Sequence, residues 1–266
     1  KINMGNLFSR VGVDSVKCGN DLVARLVYVP PDRNEVFLEK MRKYVNQKQQ
    51  DTMFFLQSGG KKVSVIQFNN LKSNTIMIYS HGNAEDIFSI HSEIKKYSEI
   101  FESNFVAYDY PGYGLSDGNP SEESSTDALK TVIDYYSEKY GADKIILIGR
   151  SLGTGITISC VYRYKLSGAI PIILISPYKS IGRVVCDSCV LEMSIARHGY
   201  KTYSIIEKLE NPIKIVHGTH DDVINVSHGK YLYDRLKNPL IPIWKEGFDH
   251  NNFSLEKDDL NDIFIC

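Results

Sequence analysis

From residue 52 onward the chain alternates between two kinds of hydrophobic pattern. Short β-branched apolar runs, of the buried-strand type, lie at 75–79, 104–108, 144–148, 171–176, 213–217 and 240–244. Between them, apolar residues recur at spacings of three and four, the stripe of an amphipathic helix. Ile87, Ile90, Ile94, Tyr97 and Phe101 form one such stripe. Leu129, Val132, Ile133, Tyr136 and Tyr140 form another, which ends at Gly141 in a helix C-cap position. Ahead of these units, 52–57 and 63–68 flank Gly59-Gly60 and predict a hairpin. A hairpin followed by repeated strand–helix units predicts an α/β fold, a mostly parallel central sheet with helices on both faces. Met77 and the tyrosines of the stripes belong to its core.

Two segments stand outside that rhythm. Residues 1–50 read as an appendage to a main domain at 51–266. The appendage holds a turn at Val29-Pro30-Pro31-Asp32 and a polar, helical connector over 40–50. Residues 177–211 interrupt the alternation between two strands. They read as a helical insertion over the site, as lids are, with an irregular crossover as the alternative.

Composition narrows the class. With 266 residues, 42% hydrophobic and 24% charged, the chain is long enough for one large core. The formal net charge of -1 gives no field that points to nucleic acid. Residues 1–50 carry nine Lys/Arg against five Asp/Glu, and the remainder 22 against 27. A basic leading segment suits a solvated face, and equally an anionic membrane surface. No apolar run approaches the ~20 residues of a membrane helix, so the body is expected to be soluble. Five cysteines (Cys18, Cys160, Cys186, Cys189 and Cys266) form no regular framework, and the opening residues lack a signal-peptide pattern. Both observations point to a reducing, cytosolic compartment, where the N-x-S sequons at Asn225 and Asn252 are chance.

The chemistry begins at Gly149-Arg150-Ser151-Leu152-Gly153, which closes the run 144–148 and opens a helix. In that context G-x-S-x-G is a nucleophile elbow, with Ser151 at a sharp strand-to-helix turn and glycines where a Cβ would collide. A serine hydroxyl needs a general base, and the base an orienting carboxylate; in this architecture the chain order is Ser, acid, His. The strand at 213–217 runs into His217-Gly218-Thr219-His220-Asp221-Asp222, where the acid belongs. Asp221 and Asp222 compete. Asp221 is preferred, because Asp222, followed by Val223-Ile224-Asn225-Val226, can turn outward. Downstream histidines are His228, in a helix start where it packs or caps, and His250, in the loop after the last strand. His250 is the candidate base. The oxyanion hole calls for two N–H donors, Leu152 after the nucleophile and Asn83 in Ser80-His81-Gly82-Asn83-Ala84-Glu85-Asp86. His81 precedes the serine and supports that loop; Asp109, in Tyr108-Asp109-Tyr110-Pro111-Gly112-Tyr113-Gly114, is architectural. Cys186-Asp187-Ser188-Cys189 has metal-site spacing but no second pair, so no metal is expected.

With these residues in place, the chain resembles serine hydrolases of the α/β-hydrolase superfamily. Within it, the chain is most similar to the α/β-hydrolase-domain-containing 17 group, the cytosolic protein depalmitoylases. The resemblance runs from about Leu22 to the C-terminus. It rests on Leu22-Val23-Ala24-Arg25-Leu26-Val27-Tyr28-Val29-Pro30-Pro31, the 80–86 loop, the 108–114 turn, the 149–154 elbow and Ile175-Ser176-Pro177. It continues through 217–224, Ser227-His228-Gly229 and 246–251. It implies Ser151 as nucleophile, Asp221 as acid, His250 as base, and thioester hydrolysis on S-acylated proteins without metal or organic cofactor. An esterase or lysophospholipase would use the same residues on an acyl-lipid substrate, and a catalytically silent membrane scaffold is the third reading. Two departures stand out. That group opens with an S-acylated cysteine cluster, where this chain has only Cys18 beside Met4-Gly5-Asn6-Leu7-Phe8-Ser9. This fits the M-G-x-x-x-S myristoylation pattern at Gly5 if translation begins at Met4. The base loop also carries Phe248-Asp249 where the group has small residues. The expectation is a protein held peripherally on the cytosolic face of a membrane by its N-terminal segment.

Overall fold

Five of the six apolar runs become strands whose neighbouring residues face opposite sides of one sheet; of the sixth, 240–244, only Ile243 and Trp244 enter a strand, Pro242 precedes it and Ile241 is exposed. The computed structural model describes residues 27–32, 34, 39, 51–70, 73–185 and 199–263. Among them, β1 (Asp51–Ser58) and β2 (Lys61–Phe68) form the hairpin, turning at Gly59 and Gly60 with φ of 54° and 78°. Then come β3 (Ile76–Ser80), α1 (His91–Ile100), β4 (Asn104–Tyr108), α2 (Glu122–Tyr140), β5 (Ile145–Arg150) and α3 (Leu152–Arg163). β6 (Ile172–Ile175), α4 (Ile181–Val185), α5 (Thr202–Ile205), β7 (Ile213–Gly218), α6 (Val226–Tyr233) and β8 (Ile243–Lys245) complete the order. The strands make a single sheet in the order β1-β2-β4-β3-β5-β6-β7-β8. The pairs β1·β2 and β2·β4 are antiparallel, and every pair from β3·β4 to β7·β8 is parallel.

The unbroken apolar runs follow from burial on both faces. Ile76, Ile78, Ile145, Leu147, Ile172 and Leu174 pack on one side against Leu129, Val132 and Tyr136 of α2 and Ile156 and Val161 of α3. Their neighbours Met77, Tyr79, Ile146, Ile148, Ile173 and Ile175 pack on the other against Ile94 and Tyr97 of α1 and Phe253, Leu255 and Leu260. Cys160 sits inside the first layer, where burial pushes its thiol pKa up and leaves it inert.

The helix boundaries sharpen the sequence reading. α2 starts at a capping box on Ser121 and ends at Gly141, whose φ is 94°. The 87–101 stripe is buried as expected, but only its second half is helical. Asp86 Oδ1 accepts from the N–H groups of Phe88 (3.1 Å) and Ser89 (2.8 Å), making a tight turn that carries Ile87 and Ile90 inward before α1 begins. In the 177–211 stretch the described parts hold α4 and α5; residues 186–198, with Cys186 and Cys189, lie outside the described residues. So do Gly5, Cys18 and the 40–50 connector. Among the described residues no helix is long and apolar enough to cross a membrane, and no cluster of His, Cys, Asp and Glu could hold a metal ion.

Candidate active site

The parallel strands bring four loops to their carboxyl ends, after β3, β5, β7 and β8, where sites of such sheets lie. β3 and β5 are neighbours, with Ser80 paired to Gly149, so the 80–86 loop stands directly beside Ser151. Ser151 has φ 50° and ψ -116°, a left-handed turn that a non-glycine residue adopts only under constraint. Its flanking glycines are sterically required. A Cβ on Gly149 would lie 2.6 Å from Gly153 O, and one on Gly153 would lie 2.1 Å from Ser80 O.

The three candidate residues meet. His250 Nδ1 is 2.8 Å from Asp221 Oδ2, and His250 Nε2 is 3.1 Å from Ser151 Oγ. All three are buried. A carboxylate can only accept, so Nδ1 carries the proton and Nε2 is left to accept from the serine hydroxyl. Asp222 is exposed and takes no part in this chain. Asp221 Oδ1 accepts from the N–H groups of Val223 (3.0 Å) and Ile224 (2.7 Å), which turns its other oxygen toward His250. Burial opposes its charge, but hydrogen bonds from His217 and His250, the electrostatic pull of His250 and the Ile224 N–H outweigh that. The carboxyl is held well below the usual carboxylate range.

His250 reaches the serine because its loop crosses the acid loop. Thr219 N–H donates to Lys245 O (2.9 Å) and His220 N–H to Phe248 O (3.0 Å), an approach that the missing Cβ of Gly218 permits. Asp249 Oδ1 accepts from the N–H groups of Asn251 and Asn252, both at 2.8 Å, and so shapes the turn around His250. Asp249 therefore serves the loop's own geometry.

Leu152 is the first residue of α3, so its N–H has no acceptor within the helix. Among the described residues no group takes the N–H of Asn83 either. Neither N–H has an acceptor among the described residues, as the expected pair of oxyanion donors requires. His228 is buried in α6 and accepts from Lys179 N–H at 3.3 Å. His81 stacks on Tyr110, and Asp109 accepts from Ile87 N–H (2.9 Å) and Ser64 Oγ (2.6 Å), both fixing the loop after β3. Burial raises the Asp109 carboxyl, against the opposing pull of His81, Ser64 and Ile87.

Three functional neighbours escaped the sequence reading. Arg150, the variable letter of the elbow, forms an ion pair with Glu85 and donates from Nη2 to His250 O at 3.1 Å. Glu85 Oε2 in turn accepts from Gly82 N–H at 2.7 Å. One buried guanidinium thus ties the elbow to the oxyanion loop and the base loop. Burial works against its charge, but Tyr79, Glu85 and Glu93 more than offset this and its pKa is raised. The signal in the sequence was a cation ending an apolar strand, with an anion in the adjacent loop. His217 is the third; its Nε2 donates to Ile224 O at 2.8 Å and lies 3.4 Å from Asp221 Oδ2.

Comparison with known proteins agrees with this architecture. The family model described as "Serine aminopeptidase, S33" matches residues 72–205, which hold Ser151, Asn83 and Leu152 but end before Asp221 and His250. The alpha/beta hydrolase L404 of Acanthamoeba polyphaga mimivirus is 36% identical over 240 residues, covering 88% of each chain. Alpha/beta hydrolase domain-containing protein 17C of Xenopus laevis is 33% identical over 185 residues, 69% of this chain and 58% of its own length. The match thus spans little more than half of that relative. Among solved structures, Est1E from Butyrivibrio proteoclasticus superposes with a TM-score of 0.66 at 15% identity, covering 80% of this chain and 98% of its own. At that identity the likeness is one of fold.

Proposed function

Because the chain belongs to the α/β-hydrolase family, we propose that it is a serine hydrolase that cleaves acyl thioesters, removing long acyl groups from S-acylated proteins. The observation that carries this reading is the hydrogen-bonded series Ser151–His250–Asp221, accompanied by two backbone N–H groups, of Leu152 and Asn83, that have no acceptor among the described residues. His250 Nε2 takes the Ser151 proton as Oγ attacks the acyl carbonyl. The N–H groups of Leu152 and Asn83 hold the oxyanion, each contributing roughly 3 kcal/mol to the transition state. Sulfur leaves, protonated by His250, and an acyl-Ser151 ester remains. Water activated by the same imidazole then frees the acid and restores the serine. Asp221 keeps the imidazole in the required tautomer and stabilises its charged form. No step calls for a metal or an organic cofactor.

The choice of thioester rests on the resemblance to the depalmitoylase group. On this reading the protein works at the cytosolic face of a membrane, held by myristoyl-Gly5 and acyl-Cys18, residues outside the described ones. One myristoyl chain gives only marginal, reversible binding, so the second signal is required. The deciding experiment is a hydrolysis panel of acyl thioesters against acyl oxyesters and lysophospholipids, from two to sixteen carbons, with fluorophosphonate labelling alongside. Preference for long-chain thioesters supports the proposal, since each buried methylene contributes about 0.8 kcal/mol. Preference for oxyesters makes the enzyme an esterase or lysophospholipase, and a serine that neither labels nor turns over makes it a scaffold.

A further inference from the structure

Residues 27–29 lie in the stretch that the hydrophobic pattern assigns to an appendage, yet Val27 and Tyr28 are buried in the same core layer as α2 and α3. Their polar contacts converge on Asn83. Its side-chain Nδ2 donates to Val27 O at 2.7 Å, and its Oδ1 accepts from Val29 N–H at 2.9 Å. One side-chain amide thereby makes the pair of bonds that a neighbouring strand would make. Tyr113 closes the arrangement, its Oη donating to Asn83 Oδ1 at 2.7 Å and accepting from Val29 N–H at 3.1 Å. On the other side of the segment, Tyr28 Oη lies 2.7 Å from Tyr200 Oη, with the rings edge to face.

Asn83 is also the expected second oxyanion donor, through a backbone N–H that has no acceptor among the described residues. Both the nitrogen and the oxygen of its side-chain amide are thus engaged with the segment. The loop needs holding. Ala84, the next residue, sits at φ 57°, a left-handed conformation that costs a non-glycine residue about 1–2 kcal/mol and persists only where surrounding contacts impose it. Asn83 Oδ1 accepts from Ala84 N–H at 3.1 Å, so the same oxygen that binds the segment also stabilises the strained turn.

We propose that residues 27–29 are a strap that fixes the oxyanion loop through the Asn83 side chain, which makes this N-terminal stretch a positioning element of the active site. The inference rests on the reading of Asn83 N–H as an oxyanion donor. An oxyanion contact exists only in the transition state, so loosening it lowers kcat and leaves KM nearly unchanged.

The test is a double-mutant cycle on the full chain, with thioester turnover followed by a thiol-reactive dye. Val29→Pro deletes the N–H that the strap donates, and Asn83→Ala deletes the clamp while keeping its own backbone N–H. Each single change is expected to lower kcat about tenfold with KM within twofold, because misplacing a donor costs less than removing it. The double variant is expected to be no worse than Asn83→Ala alone, because both changes break one contact. Tyr113→Phe, which removes the third member, repeats the comparison with Asn83→Ala if Val29→Pro does not fold. Parental kcat in Val29→Pro or Tyr113→Phe, losses that multiply in the double variant, or a loss confined to KM overturns the strap. Ser151→Ala runs beside them. If it is fully active, the serine-hydrolase reading fails; if it is silent while the strap variants match the parent, only the strap fails.

Discussion

Gly153→Ala tests how closely the elbow and the oxyanion loop are fitted to each other. The added Cβ would stand 2.1 Å from Ser80 O, 2.6 Å from Ser80 C and 2.9 Å from His81 O. All three atoms are main chain, so no side chain can swing aside. Restoring ordinary contact requires the start of α3 and the end of β3 to part by about 1 Å, in a core packed as tightly as an organic crystal. Overpacking of this kind costs about 1–3 kcal/mol of stability. The catalytic consequence is larger than that suggests, because the displaced strand end leads straight into Asn83. A misplacement of about 1 Å costs roughly 100-fold in rate, close to 2.7 kcal/mol in the barrier. The assay is steady-state hydrolysis of an acyl thioester with thermal unfolding measured on the same samples. The expected outcome is a folded protein with a modestly lowered Tm and kcat down about two orders of magnitude. A variant within threefold of parental kcat would refute the claim that the two loops are set by direct backbone contact.

Arg150→Met should cost about 2 kcal/mol in urea unfolding and lower kcat, since it strands the Glu85 carboxylate and frees His250 O; Arg150→Met/Glu85→Gln should recover part of the stability. Equal destabilisation by the single and double variants would mean that the ion pair is not what links these loops. Asp221→Asn should abolish most turnover while Asp222→Asn leaves it near parental, as kinetics on the two variants will tell. Because the folded protein depresses the Asp221 pKa, its stabilisation is complete above the unfolded value of about 3.9 and is lost as pH falls below it. Tm measured from pH 5 to 3 should therefore fall more steeply in the parent than in Asp221→Asn, and parallel curves would contradict that linkage. Expressed from Met4, the chain should fractionate with membranes and Gly5→Ala or Cys18→Ser should release it; two variants that stay bound would place the anchor elsewhere.

Much of this molecule was legible because buried parallel strands write themselves as β-branched runs. The run ending at Ile148 and the G-x-S-x-G after it located Ser151, and chain order located Asp221 and His250 as candidates. The preference for Asp221 over Asp222 gains its physical reason in three dimensions: the N–H groups of Val223 and Ile224 orient the first, while the second is exposed. The helix expected across 87–101 starts only at His91, because Asp86 offers the backbone a turn that local periodicity does not register. Arg150 and Glu85 were hidden for a different reason. A pair 65 residues apart has no sequence spacing, only the adjacency of β3 and β5. The strap was less legible still, since Asn83 binds the backbone of Val27 and Val29, and backbone carries no letter.

The most direct test of Ser151 as the nucleophile is capture of the acyl-enzyme. Protein mixed with a palmitoyl thioester is quenched in acid within the first turnovers, digested, and weighed by mass spectrometry. The expected result is a palmitoyl ester on the peptide that contains Ser151, absent from Ser151→Ala, which also fails to turn over. An acyl group carried on a different residue, or undiminished hydrolysis by Ser151→Ala, would contradict it.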